Sequence, residues 1–176
     1  MEDIIEKPVW QDLQLGQSHD DIVIDSSEDN RILSTKLANQ AMYQLDVFTH
    51  NLDARIYDHA DFIEAVRSIA VHNERAKIRF LVIEPDFATK HGHRLIELAR
   101  RLTSSIEIRR VHPDYAAYSE CYLLADRRGV IQRKLASRYE AIVNFNNPAL
   151  ASELSGHFKE VWERSQPETN FKRLYI

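Results

Sequence analysis

Residues 78–83 read Ile-Arg-Phe-Leu-Val-Ile, with apolar side chains at successive positions rather than at alternate ones. A strand of that kind is apolar on both faces, so helices must cover both sides of the sheet that contains it. Pro85 ends the run, because a proline has no backbone N–H for a ladder. The rest of the chain falls into order around this strand. A helix is predicted from Ser27, behind the N-cap candidates of Ser26-Ser-Glu-Asp-Asn, with Leu33, Leu37, Ala41 and Leu45 on one face. A short strand follows at Asp46–Thr49. A second helix, capped by Asp58 or Asp61, buries Phe62, Ile63, Val66, Ile69 and Ala70. After residues 78–83 come a helix with Leu95, Leu98, Ala99 and Leu102 on one face, and a strand around Ile106, Ile108 and Val111. Helix and strand alternating in this way predict parallel crossovers, hence an α/β class.

The grammar then changes. Residues 119–125 and 129–134 read as two strands joined by Asp126-Arg-Arg-Gly129, where Gly129 is expected to supply the positive φ of a tight hairpin. A third strand is predicted over Tyr139–Phe145. Asn147 and Pro148 then suit the N-cap and first position of a last helix, with Leu150, Leu154, Phe158, Val161 and Trp162 along one face. The predicted fold is a mixed sheet flanked by helices on both faces, over residues 29–166. Residues 1–28, with a short strand at Ile22–Ile24, form a flexible acidic arm. Residues 167–176 form a tail whose Phe171, Leu174 and Tyr175 can pack back on the body.

Charge is unevenly spread. Residues 1–30 hold nine acids against Lys7, which leaves 22 bases and 18 acids for the remainder of a chain of net charge −4. A mildly basic body with an acidic leader fits either a solvated segment or a competitor for an anionic ligand. The single Cys121 excludes an internal disulfide framework and suits a reducing compartment, so the cytoplasm is expected. No apolar run approaches the roughly 20 residues of a membrane span. No cluster of ligands at metal spacing is present: His91 and His93, two residues apart, point about 200° away from each other on a helix. No cofactor is predicted.

Crossover units, a hairpin, a further strand and a closing amphipathic helix resemble one half of a phospholipase D-like enzyme. That superfamily carries His-x-Lys-x-x-x-x-Asp on the hairpin. The same register here reads Ser119-Glu-Cys121-Tyr-Leu-Leu-Ala-Asp126. Downstream the family has Gly-Ser-x-Asn, where residues 131–137, Ile-Gln-Arg-Lys-Leu-Ala-Ser, contain neither Gly nor Asn. Glu140 resembles the acidic residue that opens the family's next strand. The chain therefore looks like a single half with a degenerate motif, from a bacterial branch of the superfamily. Single-half members act as homodimers with two motifs facing across a two-fold axis, so the resemblance implies a symmetric dimer with Ser119 and Cys121 near its cleft.

The family's reaction proceeds by attack of His on a phosphodiester, with Lys side chains holding the oxygens as charge builds. A serine hydroxyl needs an adjacent base before it attacks, and Cys121 supplies no positive charge. Loss of one such donor lowers the rate by ~10²–10³, and loss of the nucleophile lowers it further. Phosphodiesterase activity is therefore not expected of Ser119, Cys121, Asp126 and Glu140. Two readings of function remain. In the first the chain is a non-catalytic binding or regulatory module for a phosphate-bearing ligand, a nucleic acid or a protein. Arg109 and Arg133 are its candidate phosphate contacts, and Tyr118 and Tyr122 its stacking surfaces. The second is an enzyme of altered chemistry, using Cys121 or a His of the 112–118 loop, and a purely architectural dimer is a third reading. Against the ligand readings, arginines on such a chain pair with its many acids, and a strand cysteine serves as a small buried hydrophobe.

Overall fold

The computed structural model describes residues 10–167. Among them an eight-stranded mixed sheet carries six α-helices. In chain order these are β1 (Ile22–Ile24), α1 (Ser27–Gln40), β2 (Gln44–Thr49), α2 (Ala54–Tyr57), α3 (Ala60–His72), β3 (Lys77–Val82), α4 (Asp86–His91) and α5 (Arg94–Arg101). There follow β4 (Ile106–Arg110), β5 (Cys121–Ala125), β6 (Gly129–Arg133), β7 (Ala141–Asn144), α6 (Pro148–Arg164) and β8 (Gln166–Pro167). The sheet order is β1-β7-β6-β5-β2-β3-β4-β8. β2, β3 and β4 run parallel, and all other pairs are antiparallel.

Strand β3 lies inside the sheet, as its sequence requires. Ile78, Phe80 and Val82 face a core shared with α1, α3 and α5, while Leu81 faces the core built on α6. Among the described residues one face is thus covered by five helices and the other by α6 alone. Ser26 caps α1 by accepting from the N–H of Asp29 at 3.1 Å, and Asn147 caps α6 by accepting from Leu150 at 3.1 Å.

Four expectations change. Leu45 belongs to β2, not to the face of α1, because the helix ends at Gln40 and the chain extends at Ala41. Neither Asp58 nor Asp61 caps α3: its N-cap is His59, with no side-chain bond, and Asp53 instead caps the short helix α2. Helices α2 and α4 span only four and six residues, too short to leave a periodic apolar stripe. The boundary at residue 28 lies inside the packed unit. β1 pairs with β7, the N–H of Gly16 donates to the carbonyl of Phe145 at 2.8 Å, and Trp10, Leu13 and Leu15 pack on the core. Backbone bonds and scattered apolar contacts of this kind produce no periodicity in the sequence. At the other end β8 adds Gln166 and Pro167 to the edge of β4. Phe171, Leu174 and Tyr175 lie outside the described residues.

The hairpin turn also differs. The left-handed backbone falls on Asp126 (φ 51°) and Arg127 (φ 56°), the two central residues of a turn closed by the N–H of Arg128 on the carbonyl of Ala125. Gly129 has ordinary φ and is needed for space. A Cβ there would come within 2.6 Å of Leu37 Cδ2 and 2.7 Å of Leu15 Cδ1. Gly129→Ala is therefore expected to destabilise the fold by about 1–3 kcal/mol through overpacking, measured by urea unfolding. Leu15→Ala in the same chain should recover part of that loss.

Candidate functional site

The carboxyl end of β2 meets the start of β5, and Ser119 and Cys121 of the resembled motif's register lie there. Cys121 is paired in register with Arg133 of β6. Its side chain is on the five-helix face, the side shown by Leu123 and Ala125 of the same strand. Cys121 is only 3% exposed. Burial raises the thiol above its ordinary pKa, against the lowering effects of Arg133 and of the His50 backbone N–H bonded to it. A thiol held protonated in this way is a poor nucleophile. Ser119 is exposed, and its hydroxyl donates to the carbonyl of Lys134 at 3.4 Å. A histidine does lie close by: the His50 Nε2 contacts the carbonyl of Tyr118 at 2.7 Å. A carbonyl only accepts, so this nitrogen carries its proton and donates; it is not a base for Ser119.

Arg133 is buried, and the fold uses its guanidinium. Its Nε donates to the carbonyl of Arg138 at 2.9 Å and its Nη2 to that of Ala136 at 2.7 Å, while the group stacks 5.0 Å from the ring of Tyr139. The hydroxyl of Tyr139 in turn donates to Asp53 at 2.8 Å. The loop between β6 and β7 is thereby clamped to the loop between β2 and α2. Asp126 sits at the other end of β5. Its carboxylate accepts from the backbone N–H of Met42 (2.9 Å), Tyr43 (2.8 Å) and Gln44 (2.9 Å), which pins the chain entering β2. Glu140 is exposed and faces Arg138 at 3.8 Å.

The four candidate ligand contacts do not converge. Arg109 is on β4 and Arg133 on β6, with β5, β2 and β3 between them. At the usual strand spacing that is roughly 19 Å. Arg109 lies on the α6 face, donating to Glu107 at 2.9 Å and to the carbonyl of Trp162 at 2.9 Å, with the indole 4.2 Å below its guanidinium. Tyr118 and Tyr122 do meet, on the α6 face, around a residue that the sequence did not single out. The ring of His157 stacks on Tyr118 at 4.2 Å, and its Nδ1 pairs with the Tyr122 hydroxyl at 2.8 Å. Burial lowers the pKa of His157 and raises those of Tyr118 and Tyr122, so the cluster is neutral at pH 7. Tyr122 is buried and Tyr118 half-buried, which leaves little ring face for a base to stack on.

His93 is the buried N-cap of α5. Its Nδ1 accepts from the N–H of Leu95 at 3.1 Å and its Nε2 donates to the carbonyl of Leu52 at 3.1 Å. Burial lowers its pKa. His91 is exposed on α4, where its Nδ1 contacts the carbonyl of Phe87 at 2.9 Å. Among the described residues no three His, Cys, Asp or Glu side chains are grouped to hold a metal, and no helix is long and apolar enough to cross a membrane.

Three parallel strands, a hairpin, a returning strand and a lone helix over the hairpin give this chain the phospholipase D-like fold. Nuc from Salmonella typhimurium, a phospholipase D family member, superposes with a TM-score of 0.58 at 15% identity, over 85% of this chain and 99% of that one. NucT from Helicobacter pylori gives 0.58 at 9% identity, with the same coverage. The archaeal chromatin protein TrmBL2, whose structure shows a novel mode of DNA binding, gives 0.59 at 16% identity over 84% of this chain; the match spans about half of TrmBL2, 54%. By sequence the chain belongs to the DUF7931 family, a domain of unknown function whose model matches residues 26–174. No curated protein matches its sequence.

His50, Asp53, His157 and Arg79 were missed in the sequence. Each is a lone polar residue in an apolar or loop context, and its partners lie 68, 86, 35 and 33 positions away. No local spacing marks such pairs.

Proposed function

We propose that this chain is a non-catalytic phospholipase D-like module that binds a phosphate-bearing ligand, with nucleic acid the favoured class. The observation that carries the reading is the use made of the motif-register positions. Cys121 is buried, Arg133 is spent on two carbonyls, and Asp126 is spent on three backbone N–H groups. Stabilising a phosphoryl transition state requires preorganised donors aimed at the reacting oxygens, and here these groups are aimed at the backbone. DNA binding by TrmBL2, on the same fold, supports nucleic acid as the ligand class. The single, buried thiol suits the cytoplasm.

The fold also supports a two-fold dimer. On the face that carries α6, Val23, Ile142 and Leu135 are 78%, 41% and 47% exposed, and Val23 pairs with Ile142 across β1 and β7. Apolar side chains grouped on one face in this way suit a contact between copies.

The deciding experiment pairs hydrolysis with binding. Incubated with bis(p-nitrophenyl) phosphate, the chain is expected to release no more nitrophenol than buffer does. With labelled single-stranded DNA, it should bind with an affinity that falls as salt rises. Turnover that disappears in Cys121→Ala would overturn the non-catalytic reading. Failure to bind DNA, nucleotides or phosphate at low salt would overturn the phosphate-ligand reading and leave a protein partner.

A further inference from the structure

We infer that a cavity of 360 Å³ beside the motif register, bounded by the β2–α2 loop and the α4–α5 loop, is a nucleotide site that selects bases bearing an exocyclic amino group. The inference rests on the phosphate-ligand reading above and gives it a location and a ligand class. The cavity opens at the carboxyl ends of β2 and β3, where open α/β sheets receive ligands, and its volume is in the range of small-molecule sites.

Its walls are built rigidly. Leu52 holds a left-handed backbone, φ 57°, with its side chain 1% exposed. A branched apolar residue adopts that conformation only where its surroundings impose it, and such strain gathers at ligand sites. The imposing group is His93. It holds the Leu52 carbonyl through Nε2 and the N–H of Leu95 through Nδ1, each at 3.1 Å, so one buried imidazole joins the two loops that bound the cavity. On the β6–β7 side, Tyr139 fixes the Asp53 carboxylate at 2.8 Å. A cavity fixed before binding spares the ligand the ordering of its walls.

The lining then defines the ligand. Phe87 is 60% exposed and stacks on the imidazole of His91, ring centroids 4.1 Å apart and 23° from parallel. An exposed aromatic pair at a cavity rim offers a flat surface to a base, which has a π-face whatever its identity. Arg55, exposed beside the Tyr139 hydroxyl, supplies a guanidinium for a phosphate. Asp58 supplies base selectivity. Its Oδ1 accepts from the N–H of Arg94 at 3.2 Å and faces the Nε of the same arginine at 3.8 Å, and its second oxygen offers lone pairs to an exocyclic amino group. Adenine, cytosine and guanine carry that group. Uracil offers a carbonyl in its place, and two oxygens facing each other repel.

Isothermal titration of the full chain with AMP, UMP and inorganic phosphate tests this. Variants Phe87→Ala and Arg55→Gln probe the site, and Arg127→Gln, at the opposite end of β5, serves as control. AMP should bind about tenfold more tightly than UMP or phosphate, and Phe87→Ala should weaken AMP by about tenfold with an unchanged melting temperature. Arg127→Gln should leave AMP affinity unaltered. If AMP or a short single strand binds equally well to Phe87→Ala and Arg55→Gln, the site is elsewhere and this inference fails, while the phosphate-ligand reading stands. If phosphate binds as tightly as AMP and only Arg55→Gln weakens it, the cavity takes an anion without a base, which also overturns the inference. If no anionic ligand binds the unmodified chain, both readings fall together.

Discussion

Asp46→Ala is expected to lower the unfolding free energy by about 3 kcal/mol, the low end of what removing one partner from a buried ion pair produces. The Asp46 side chain is 1% exposed and pairs with both nitrogens on one edge of Arg79, at 2.8 and 2.9 Å, with a further bond from the Gln44 amide. The Arg79 guanidinium lies between this carboxylate and α6, 5.0 Å from the ring of Phe158 and 5.3 Å from that of Trp162. Without Asp46 the cation is left under an aromatic lid, and Glu107, its register neighbour on β4, is already paired with Arg109 at 2.9 Å. Arg79 is 21% exposed, so water reaches part of it, which is why the low end applies. Urea denaturation should show a lower midpoint with an unchanged slope. The double variant Asp46→Ala/Arg79→Met should recover most of the loss, because an apolar replacement of a buried pair is often neutral. A loss below about 1 kcal/mol in the single variant, the range of an exposed pair, would show that the pair is as weak as a surface one.

Asp126→Ala is expected to destabilise by about 2–3 kcal/mol, since hydrogen bonds to a charged acceptor are worth more than neutral ones and three are lost together. The backbone adds to this. Asp and Asn tolerate the left-handed region, while Ala does so less readily, and Asp126 sits at φ 51°. The two contributions separate in a series. Asp126→Asn keeps the conformation and one acceptor, so its loss should be the smallest. Asp126→Gly keeps only the conformation and should fall between Asn and Ala. Equal losses for Gly and Ala would assign the whole effect to the carboxylate. The series bears on function too: in this chain Asp126 fastens β5 to the start of β2, a role in stability.

Much of the architecture was legible because it depends on burial pattern. Ile78–Val82 had to be a covered strand, and Asn147-Pro148 had to open a helix whose Leu154, Phe158, Val161 and Trp162 are buried. The packing of Trp10, Leu13 and Leu15 and the strand Ile22–Ile24 was harder to read as part of the body, because these residues add to an existing surface rather than forming a periodic face. Of the eight residues nominated for the site, the positions of Ser119, Cys121 and Asp126 along the hairpin followed from register, but their environments did not. Arg109 and Arg133, both nominated as phosphate contacts, bond to backbone carbonyls on opposite faces of the sheet. A guanidinium has the same sequence signature whether it faces a ligand or a carbonyl.

That positions 119 and 121 hold a serine and a cysteine, neither of them a cation, is a property of the sequence alone, as are the parallel crossovers and the terminal hairpin-strand-helix order. Their chemistry is local: a residue type either bears a charge at pH 7 or does not, and a side-chain period of two or 3.6 is set by the backbone. Only the tertiary structure decided that Asp126 serves the backbone of residues 42–44, that Arg133 serves the carbonyls of Ala136 and Arg138, and that His93 ties Leu52 to α5 beside a cavity. Hydrogen bonds and cavities join residues that the chain brings together from tens of positions apart. Their existence depends on where the sheet places its strand ends, which no window of sequence contains.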